Sequence, residues 1–293
     1  MLHGTVSVVL PTLNRYDVVL KTIRELLSGD PASLLEIIVV DQSDEPLNLD
    51  RSCEDPRLRY VHTPIKNLPR ARNIGARIAA GEIVLYLDDD VTGVRDIVAR
   101  HRAAHEAVRA DIVTGPIFEA RDHPSLSDAP RRAGRHPIPE PGFAPGGNAS
   151  YRRDAIFRAG GFDENFTGGA VGEDAEMSHR VRQGGGTIVL DHQCGIIHLN
   201  IQSGGCKNES AEMDRLSTRI TNCHYFWHKV GDRRASTTQI LTLIRANAIV
   251  HRPASGGLAF FPPDRLPKLL GCWIRARRRT RVLLAKPQTW LSA

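Results

Sequence analysis

Residues 82–93 read EIVLYLDDDVTG, an apolar run of strand type that ends in three consecutive aspartates. Alternate residues of a strand share one face, so we expect Asp88 and Asp90 to point together and Asp89 to point away from them. Carboxylates this close repel one another unless a cation joins them, and oxygen ligands at the end of a strand suit Mg²⁺ or Mn²⁺. For three aspartates taken alone, a solvated acidic turn or a helix cap is the alternative.

The segments around this run alternate between strand and helix patterns. Apolar runs predict strands over 5–11, 34–44, 58–64 and 82–90, and helical spacing predicts helices over 17–29, 69–81 and the first part of 101–118. Buried strands separated by helices indicate an α/β fold with a mostly parallel sheet and helices on both faces. In such sheets a ligand binds beyond the carboxyl ends of the strands, where Asp41 and the three aspartates lie.

The second half of the chain is less regular. Residues 119–147 are rich in proline, glycine and arginine and lack periodicity, which indicates a substrate-facing or mobile loop. We expect a turn, two helices and a strand pair over 146–199, followed by a helix over 210–230. From residue 257 onward the chain is basic and partly amphipathic.

Composition narrows the classes of protein to consider. The chain has 293 residues, with 41% hydrophobic and 25% charged residues, which is typical of a soluble globular protein. Five scattered cysteines without a CxxC pair argue against a disulfide framework or structural zinc and favour a reducing compartment. The N-terminus lacks the basic and apolar regions of a signal peptide, and no apolar run approaches the ~20 residues that span a bilayer. We therefore expect a cytoplasmic protein.

A second group of polar residues follows much later in the chain. Glu173 and Asp174 open a helical pattern, where adjacent acids usually cap the helix and are favoured by its dipole. Their functional interpretation is a carboxylate base at a helix N-terminus that faces the cleft. His198 ends a short apolar run and is either a structural histidine or a metal ligand.

Basic residues precede the aspartates. Arg70, Arg72 and Asn73 open a helix, where guanidinium groups and helix-terminal amides would hold a diphosphate, unless the arginines lie on the surface. Asp41 either accepts hydrogen bonds from a base or ribose or caps a loop. No GxGxxG follows the first strand and no GxxxxGK[ST] occurs, which disfavours dinucleotide and P-loop proteins.

The ordered series of these segments resembles the family 2 glycosyltransferases, which are inverting enzymes of the GT-A fold. The matching pieces are VSVVLPTLNR, IVVDQSD, NLPRARNIGARIAAGEIVLYLDDDV, GGNASYRRDAIFRAGGFDE, GEDAEMSHRVRQGG and a closing IIH. The resemblance covers roughly residues 5–200, and the last ninety or so residues match much less well. It implies a GT-A catalytic domain over 1–205, with a nucleotide-sugar-binding half (1–118) and an acceptor half (119–205), and a helical extension over 206–293.

The resemblance also implies a nucleotide-sugar pocket. The residues at its positions are Pro11, Thr12, Asn14, Asp41, Arg72, Asp88, Asp89, Gly147 and Asn148. Asp41 would receive the base, Arg72 would approach the diphosphate or base, and Gly147 with Asn148 would shape the donor-sugar and acceptor pocket. Gln42 departs from the small residue or Asn that many members carry, which leaves the base preference open.

The remaining matches concern catalysis. Asp174 would be the catalytic base with Glu173 beside it, and Asp90, Asp88 and His198 would hold Mn²⁺ or Mg²⁺. The metal would neutralise the departing diphosphate, and Asp174 would deprotonate an acceptor hydroxyl in one inverting displacement. The partners would be a nucleotide-sugar donor and a glycan or lipid-linked acceptor, as in the synthesis of cell-surface polysaccharide or glycolipid.

The basic segment 267–286 mixes leucine, tryptophan and isoleucine with arginine. Such a helix either lies on the anionic inner face of the cell membrane or packs on the catalytic domain with a solvated arginine face. Nucleic acid is not an expected partner, because the charge is local and no groove-reading motif accompanies it.

Two other functions fit parts of the sequence. LYLDDDVTG also satisfies D-x-D-x-T, the opening motif of haloacid-dehalogenase-type phosphatases, with Asp88 as the nucleophile. That motif normally lies near the start of its domain, whereas about eighty residues precede it here. A non-catalytic subunit that binds nucleotide-sugars is the other alternative, and the intact acidic motifs argue against it.

Overall fold

The computed structural model describes residues 4–47, 54–130, 134–139, 142–168, 171–205, 212–248 and 265–286. The strands in these ranges are β1 (Val6–Thr12), β2 (Leu34–Asp41), β3 (Leu58–His62), β4 (Ile83–Leu87), β5 (Val91–Thr92), β6 (Ile112–Thr114), β7 (Ile117–Glu119), β8 (Arg135–Pro137), β9 (Asn148–Arg152), β10 (Ile188–Asp191) and β11 (Ile196–His198). The helices are α1 (Tyr16–Leu27), α2 (Leu68–Ile78), α3 (Ile97–Val108), α4 (Arg153–Ala159), α5 (Glu173–Gln183), α6 (Glu212–Lys229), α7 (Arg233–Ala248) and α8 (Arg265–Leu284).

Eight strands form one sheet in the order β3-β2-β1-β4-β9-β6-β10-β8. The pairs β3–β2, β2–β1, β1–β4 and β6–β10 are parallel, whereas β9 runs antiparallel to both of its neighbours and β8 to β10. The predicted α/β fold with a mostly parallel sheet is therefore confirmed. A second sheet contains β5, β11 and β7 in that order.

The central strands are apolar on both sides because helices cover both faces of the sheet. Val8 of β1 packs in a core with Ile23 of α1, whereas Val9, the next residue, packs in a second core with Ala76 of α2. The parallel register places Thr12 beside Asp41, so the strands end together at one edge of the sheet. The three aspartates follow β4 at this same edge.

The structure corrects three expectations for the second half. Residues 148–152 form the central strand β9, which the sequence did not indicate. The end of 101–118, which follows the expected helix, forms two short strands in different sheets, β6 and β7, separated by Gly115 and Pro116. Pro116 has no N–H to donate to a strand ladder. Only glycine fits at 115, because a side chain there would lie 1.7 Å from the Cys194 carbonyl oxygen. β10 and β11 both form but belong to different sheets and do not pair with each other.

The helices α6, α7 and α8 form a C-terminal bundle. Leu216 and Ile220 of α6, Ile240 of α7 and Leu269 of α8 share one apolar core. Phe166 and Tyr225 pack with Leu283 in a further small core, which joins the bundle to the residues that precede α5. The basic helix α8 thus packs on the rest of the chain, as one of its two interpretations required. The predicted domain limits are untested and stay a prediction.

None of the helices in the described ranges is long and apolar enough to cross a bilayer. Cys194, Cys223 and Cys272 are buried free thiols, and Cys53 and Cys206 lie outside the described residues. Parts of the expected loop (131–133 and 140–141) and of the basic segment (257–264 and 287–293) also lie outside them.

Candidate active site

A cavity of about 460 Å³, the sheet-edge cavity, lies beyond the carboxyl ends of β1 and β4. The predicted site residues that line it are Pro11, Arg72, Asp88, Asp89, Asp90, Gly147, Glu173, Asp174 and His198. The sheet topology thus brings together the aspartates after β4, the acidic pair of α5 and the histidine of β11. Four predicted residues do not line the cavity, namely Thr12, Asn14, Asp41 and Asn148.

Asp88, Asp90 and His198 form a group that could hold a metal ion. One ligand atom from each lies within 4.8 Å of the others, and His198 Nε2 lies 3.1 Å from Asp90 Oδ1. Asp88 and Asp90 therefore share a face, as the alternation of strand residues predicts. Two carboxylates and one imidazole are suitable donors for Mn²⁺.

The ionisation of this group reflects its neighbours. Burial raises the pKa of Asp88, while the Arg72 guanidinium opposes this shift. Burial also opposes ionisation of Asp90, but the hydrogen bond from His198 and the charge of Arg15 bring its pKa below the ordinary value. The same hydrogen bond raises the pKa of His198. Asp90 is therefore the carboxylate of this group that its surroundings hold ionised.

Asp89 faces the other way. Its Oδ2 accepts a hydrogen bond from the Thr12 hydroxyl (2.7 Å), and its Oδ1 accepts one from the Arg15 guanidinium (2.8 Å). Burial raises the pKa of Asp89 to about 6 against the effect of these partners. Thr12 and Asp89 thus hold one another and Arg15 in place, and their predicted contact with the nucleotide-sugar stays a prediction.

Arg15 is a cavity residue that the sequence analysis missed. It bonds Asp89, lies 3.2 Å from Asp90 Oδ2, and donates to the carbonyl oxygens of Ile201 and Ser203 (2.7 and 2.8 Å). Arg15 therefore fixes the segment after β11 over the end of β4. Its position directly after Asn14, in the matching piece VSVVLPTLNR, was the available signal.

Asp41 and Asn148 are buried and bonded within the fold. Asp41 accepts hydrogen bonds from the amides of Ser43 and Leu47 and from the Tyr60 hydroxyl. The Asn148 amide donates to the Cys194 carbonyl (2.7 Å), and its Oδ1 lies 3.1 Å from His101 Nε2. These two side chains shape the loops around the cavity, and their direct contact with a ligand stays a prediction.

Asn14 is exposed and has a left-handed φ of 54°. Its backbone N–H donates to the Ser43 hydroxyl (2.7 Å), and its side-chain amide donates to Asp44 (3.3 Å). Asn14 therefore ties the loop after β1 to the loop after β2, and its predicted nucleotide contact stays untested.

Three further charged residues, Arg72, Glu173 and Asp174, line the cavity. Arg72 is almost fully buried and donates to Glu173 Oε1 (2.7 Å), and Glu173 Oε2 has no hydrogen-bond partner among the described residues. Burial raises the pKa of Glu173 to about 8, with the Asp174 charge adding to the effect and Arg72 opposing it. Burial likewise raises the pKa of Asp174. Arg72 thus balances two acids whose own surroundings disfavour ionisation.

Asp174 is half-buried at the start of α5. Its Oδ2 accepts from the Gly146 amide (3.3 Å) and its Oδ1 from the Ala175 amide (2.8 Å). Because these amides orient the carboxylate, Asp174 is the better placed of the two acids to meet a ligand.

Two neighbouring glycines allow the backbone to approach these charges. A side chain at Gly146 would lie 2.5 Å from the Arg72 guanidinium, and one at Gly147 would lie 2.3 Å from Asp88 Oδ2. Gly147 was predicted, whereas Gly146 was not. Both positions require glycine because of close approach rather than unusual backbone angles.

The fold defines the class of protein. Mannosyltransferase PcManGT from Pyrobaculum calidifontis, solved with GDP-Man and Mn²⁺, superposes with a TM-score of 0.58 at 18% identity, over 96% of this chain and 78% of that one. GalNAc-T7, solved with UDP, GalNAc and Mn²⁺, gives a TM-score of 0.58 at 18% identity, over 78% of this chain and 51% of that one. The chain therefore has the GT-A fold of these glycosyltransferases.

The sequence comparison narrows the class to a family. The model of the glycosyl transferase family 2 matches residues 7–162, more than half of the chain, and the chain belongs to this family. Validoxylamine A glucosyltransferase of Streptomyces hygroscopicus subsp. jinggangensis is 28% identical over 264 residues, 76% of this chain. The chain spans 60% of the length of that relative. The family match argues against the phosphatase alternative for Asp88.

Proposed function

We propose that this chain is an inverting glycosyltransferase that moves a sugar from a nucleotide-sugar donor to an acceptor hydroxyl of a glycan or a lipid-linked glycan. The observation that carries the proposal is the shared cavity, because Asp90 and Asp174 line it together although they lie far apart in sequence. A donor diphosphate at the end of β4 and an acceptor at the start of α5 would meet inside it. The volume of about 460 Å³ is in the range of ligand sites.

Asp174 is the proposed base. Hydrogen bonds from Gly146 and Ala175 orient its carboxylate, and the raised pKa makes it a stronger base than an exposed aspartate. It would remove the proton from the acceptor hydroxyl as the oxygen attacks the anomeric carbon. The bond to the nucleoside diphosphate breaks in the same step, so no covalent enzyme nucleophile is needed. Glu173 would act indirectly, by holding Arg72.

A divalent cation is the proposed cofactor. Asp88, Asp90 and His198 would hold it. Thermal unfolding with each ion distinguishes Mn²⁺ from Mg²⁺. When bound, it would neutralise charge on the leaving diphosphate. Arg15 and Arg72, on either side of the aspartates, would add positive charge near the same leaving group.

The first experiment identifies the donor and the metal. Thermal unfolding of the chain is measured with UDP-, GDP- and dTDP-sugars, each with and without Mn²⁺ or Mg²⁺. We expect one nucleotide series to stabilise the protein in a metal-dependent way, and the same donor to release nucleoside diphosphate when incubated with the enzyme. Stabilisation without any release would favour the non-catalytic subunit.

The second experiment tests the base. Asp174→Asn keeps the shape of the side chain but removes the basic oxygen, so transfer should fall by roughly 10²- to 10⁴-fold while donor and metal affinity persist. Rates of nucleoside diphosphate release, measured with the identified donor, give the comparison. An Asp174→Asn variant that transfers sugar at the parent rate would refute the assignment of the base.

A further inference from the structure

A second cavity lies in the C-terminal bundle, away from the residues of the proposed active site. This bundle cavity has a volume of about 520 Å³ and shares no lining residue with the sheet-edge cavity. Its lining residues are His224, His228, Arg233, Thr237, Trp273, Arg277, Thr280, Arg281 and Leu284. Three arginines and two histidines line it, and none of the described lining residues is acidic, so the cavity is suited to an anion.

The arginines of the bundle cavity have no carboxylate partner in the part of the chain that the structure describes. Within the described part of the chain, Arg233, Arg277 and Arg281 form no ion pair with a carboxylate, and Arg277 lies 5.9 Å from the ring centroid of Trp273. The rings of His224 and His228 stack with centroids 4.0 Å apart. Burial, with added repulsion from His228 and Arg277, lowers the pKa of His224 to about 4.

Helix α8 presents two different faces. Leu269, Cys272 and Ala276 recur every three or four positions, Leu283 follows two turns later, and all four face the apolar cores of the bundle. The side away from these cores carries exposed apolar residues. They are Leu266, Leu270, Ile274, Val282 and Leu284, with exposed fractions of 49%, 41%, 52%, 57% and 45%.

The outward face of α8 is also basic. Exposed arginines at 275, 277, 278, 279 and 281 lie among these apolar residues, and the sequence from Arg265 to Ala293 contains no acidic residue. Arg281 and Leu284 line the bundle cavity and are also exposed on the helix, so the cavity opens beside the outward face. Apolar side chains among arginines match the chemistry of an anionic bilayer surface.

We propose that the bundle cavity takes the phosphate headgroup of an anionic lipid while the outward face of α8 rests on the same bilayer surface. Arg277 and Arg281 would pair with the phosphate at the cavity mouth, as guanidinium groups pair with phosphate oxygens generally. Leu270 and Ile274 would enter the interface between headgroups and acyl chains. The proposal does not depend on sugar transfer, because binding can be measured without donor or metal.

The first test is co-sedimentation of the full chain with vesicles. Vesicles of phosphatidylcholine alone are compared with vesicles that also contain phosphatidylglycerol, at low and at high salt. We expect the chain to sediment with the anionic vesicles, and the bound fraction to fall at high salt because exposed charges are screened. Equal binding to neutral vesicles would overturn the electrostatic part of the proposal.

Matched variants locate the surface. Arg277→Gln with Arg281→Gln should weaken partitioning to anionic vesicles by roughly 30-fold, since each basic residue near the surface contributes a factor of about five. Arg24→Gln with Arg95→Gln makes the same change of net charge at exposed residues outside the bundle and should leave partitioning nearly unchanged. If both pairs behave alike, the contact is not at α8 and the proposal is wrong.

A further variant pair tests the apolar contact. Leu270→Ser with Ile274→Ser keeps every arginine but removes two apolar side chains that are already exposed, so the fold should be preserved. We expect weaker partitioning to anionic vesicles than for the parent, and thermal unfolding of the free protein should confirm an intact fold. Unchanged partitioning would show that the apolar face does not enter the bilayer.

Nuclear magnetic resonance of the histidines tests the cavity itself. A short-chain phosphatidylglycerol below its micelle concentration should shift the signals of His224 and His228 and raise the pKa of His224, because an anion offsets the charge of Arg277. The Arg277→Gln, Arg281→Gln variant should lose this response. If inorganic phosphate alone produces it and vesicles do not bind, the site is one for soluble anions and the lipid proposal is wrong.

Competition with nucleic acid is a separate test. Displacement of the chain from vesicles by a single-stranded oligonucleotide that binds more tightly would favour nucleic acid instead.

Discussion

The sheet-edge cavity and the bundle cavity are both lined by arginines, which are buried in the first and exposed in the second, and the two cavities balance the arginine charge differently. In the sheet-edge cavity, Arg72 bonds Glu173 and Arg15 bonds Asp89, each at a distance below 3 Å. In the bundle cavity, the lining residues that the structure describes include no acidic one. The first arrangement holds charged groups in place around the proposed active site. Among the described residues, the second retains a net positive charge that a bound anion would neutralise.

Lys229 lies where the C-terminal bundle contacts the rest of the fold. It lies at the end of α6 in the bundle, yet its ammonium group is 2.6 Å from both Asp163 Oδ2 and Glu176 Oε1. The Tyr225 hydroxyl also donates to Asp163 (2.7 Å). Because Glu176 belongs to α5, this buried network joins the bundle to the helix that carries the proposed base. A cation of the bundle is thus compensated where it touches the rest of the fold.

The largest expected effect comes from breaking this compensation. Lys229→Met leaves the buried Asp163 carboxylate without its cation, while Glu176 keeps its ion pair with Arg180, and should lower the free energy of unfolding by about 3 kcal/mol at neutral pH. Arg281→Met, at a residue without an ionic partner in the described structure, should change it by less than about 0.5 kcal/mol. Urea unfolding of the two variants and the parent provides the measurement. Equal losses would show that charge compensation does not distinguish the two regions.

The Lys229 effect should depend on pH. Burial raises the pKa of Asp163, but the charge and the hydrogen bond of Lys229 lower it, and the pKa of this carboxyl lies below its ordinary value. A depressed folded-state pKa stabilises the protein above the unfolded-state pKa, and this contribution is lost as the pH falls through the folded-state pKa. The difference in unfolding free energy between parent and Lys229→Met should therefore shrink in acid, below the ordinary aspartate pKa.

A smaller effect, confined to ligand binding, is expected at the proposed metal site. Asp90→Ala removes the carboxylate that its surroundings hold ionised, so metal-dependent binding of the donor should weaken by about 100-fold or more. Titration of the donor with and without Mn²⁺, followed by thermal shift or calorimetry, measures this. The metal-independent part of donor binding serves as the internal control. Full metal dependence in the variant would remove Asp90 from the proposed ligand set.

The smallest of these effects concerns the approach of the backbone to Asp88. Gly147→Ala places a methyl group 2.3 Å from Asp88 Oδ2, so the aspartate must rotate and donor affinity in the presence of metal should fall about tenfold. Gly184→Ala is the matched control, because its nearest neighbours would lie at 3.4 and 3.6 Å and no rearrangement is needed. Equal donor affinity in both variants would show that the position of Asp88 does not matter for binding.

Much of the sheet and its acidic edge could be predicted from the sequence. β1, β2 and β4 are apolar runs because both faces of the sheet are covered, and the alternation of strand residues correctly placed Asp88 and Asp90 on one face. The strand β9 escaped prediction because Asn148 and Ser150 interrupt its apolar pattern. They are buried at this position because His101 and His105 of α3 hydrogen-bond to them.

The histidines that support β9 gave no signal of their own in the sequence. Burial lowers the pKa of His101 to about 3 and that of His105 to about 4, so both rings are neutral and bond as part of the core. Arg15 was missed for a related reason. Its partners Asp89, Ile201 and Ser203 come from distant parts of the chain, and the residues next to Arg15 in the sequence do not indicate them.

The sequence by itself determined the strand and helix periods, the acidic end of β4 and the basic character of α8, because each depends on residues close together in the chain. Only the tertiary structure decided that Asp90, Asp174 and His198 share one cavity, and that the arginines of α8 line another. The physical reason is that pairing of distant segments depends on strand order and on the packing of whole helices. Those are set by the total burial of apolar surface, which no short stretch of sequence contains.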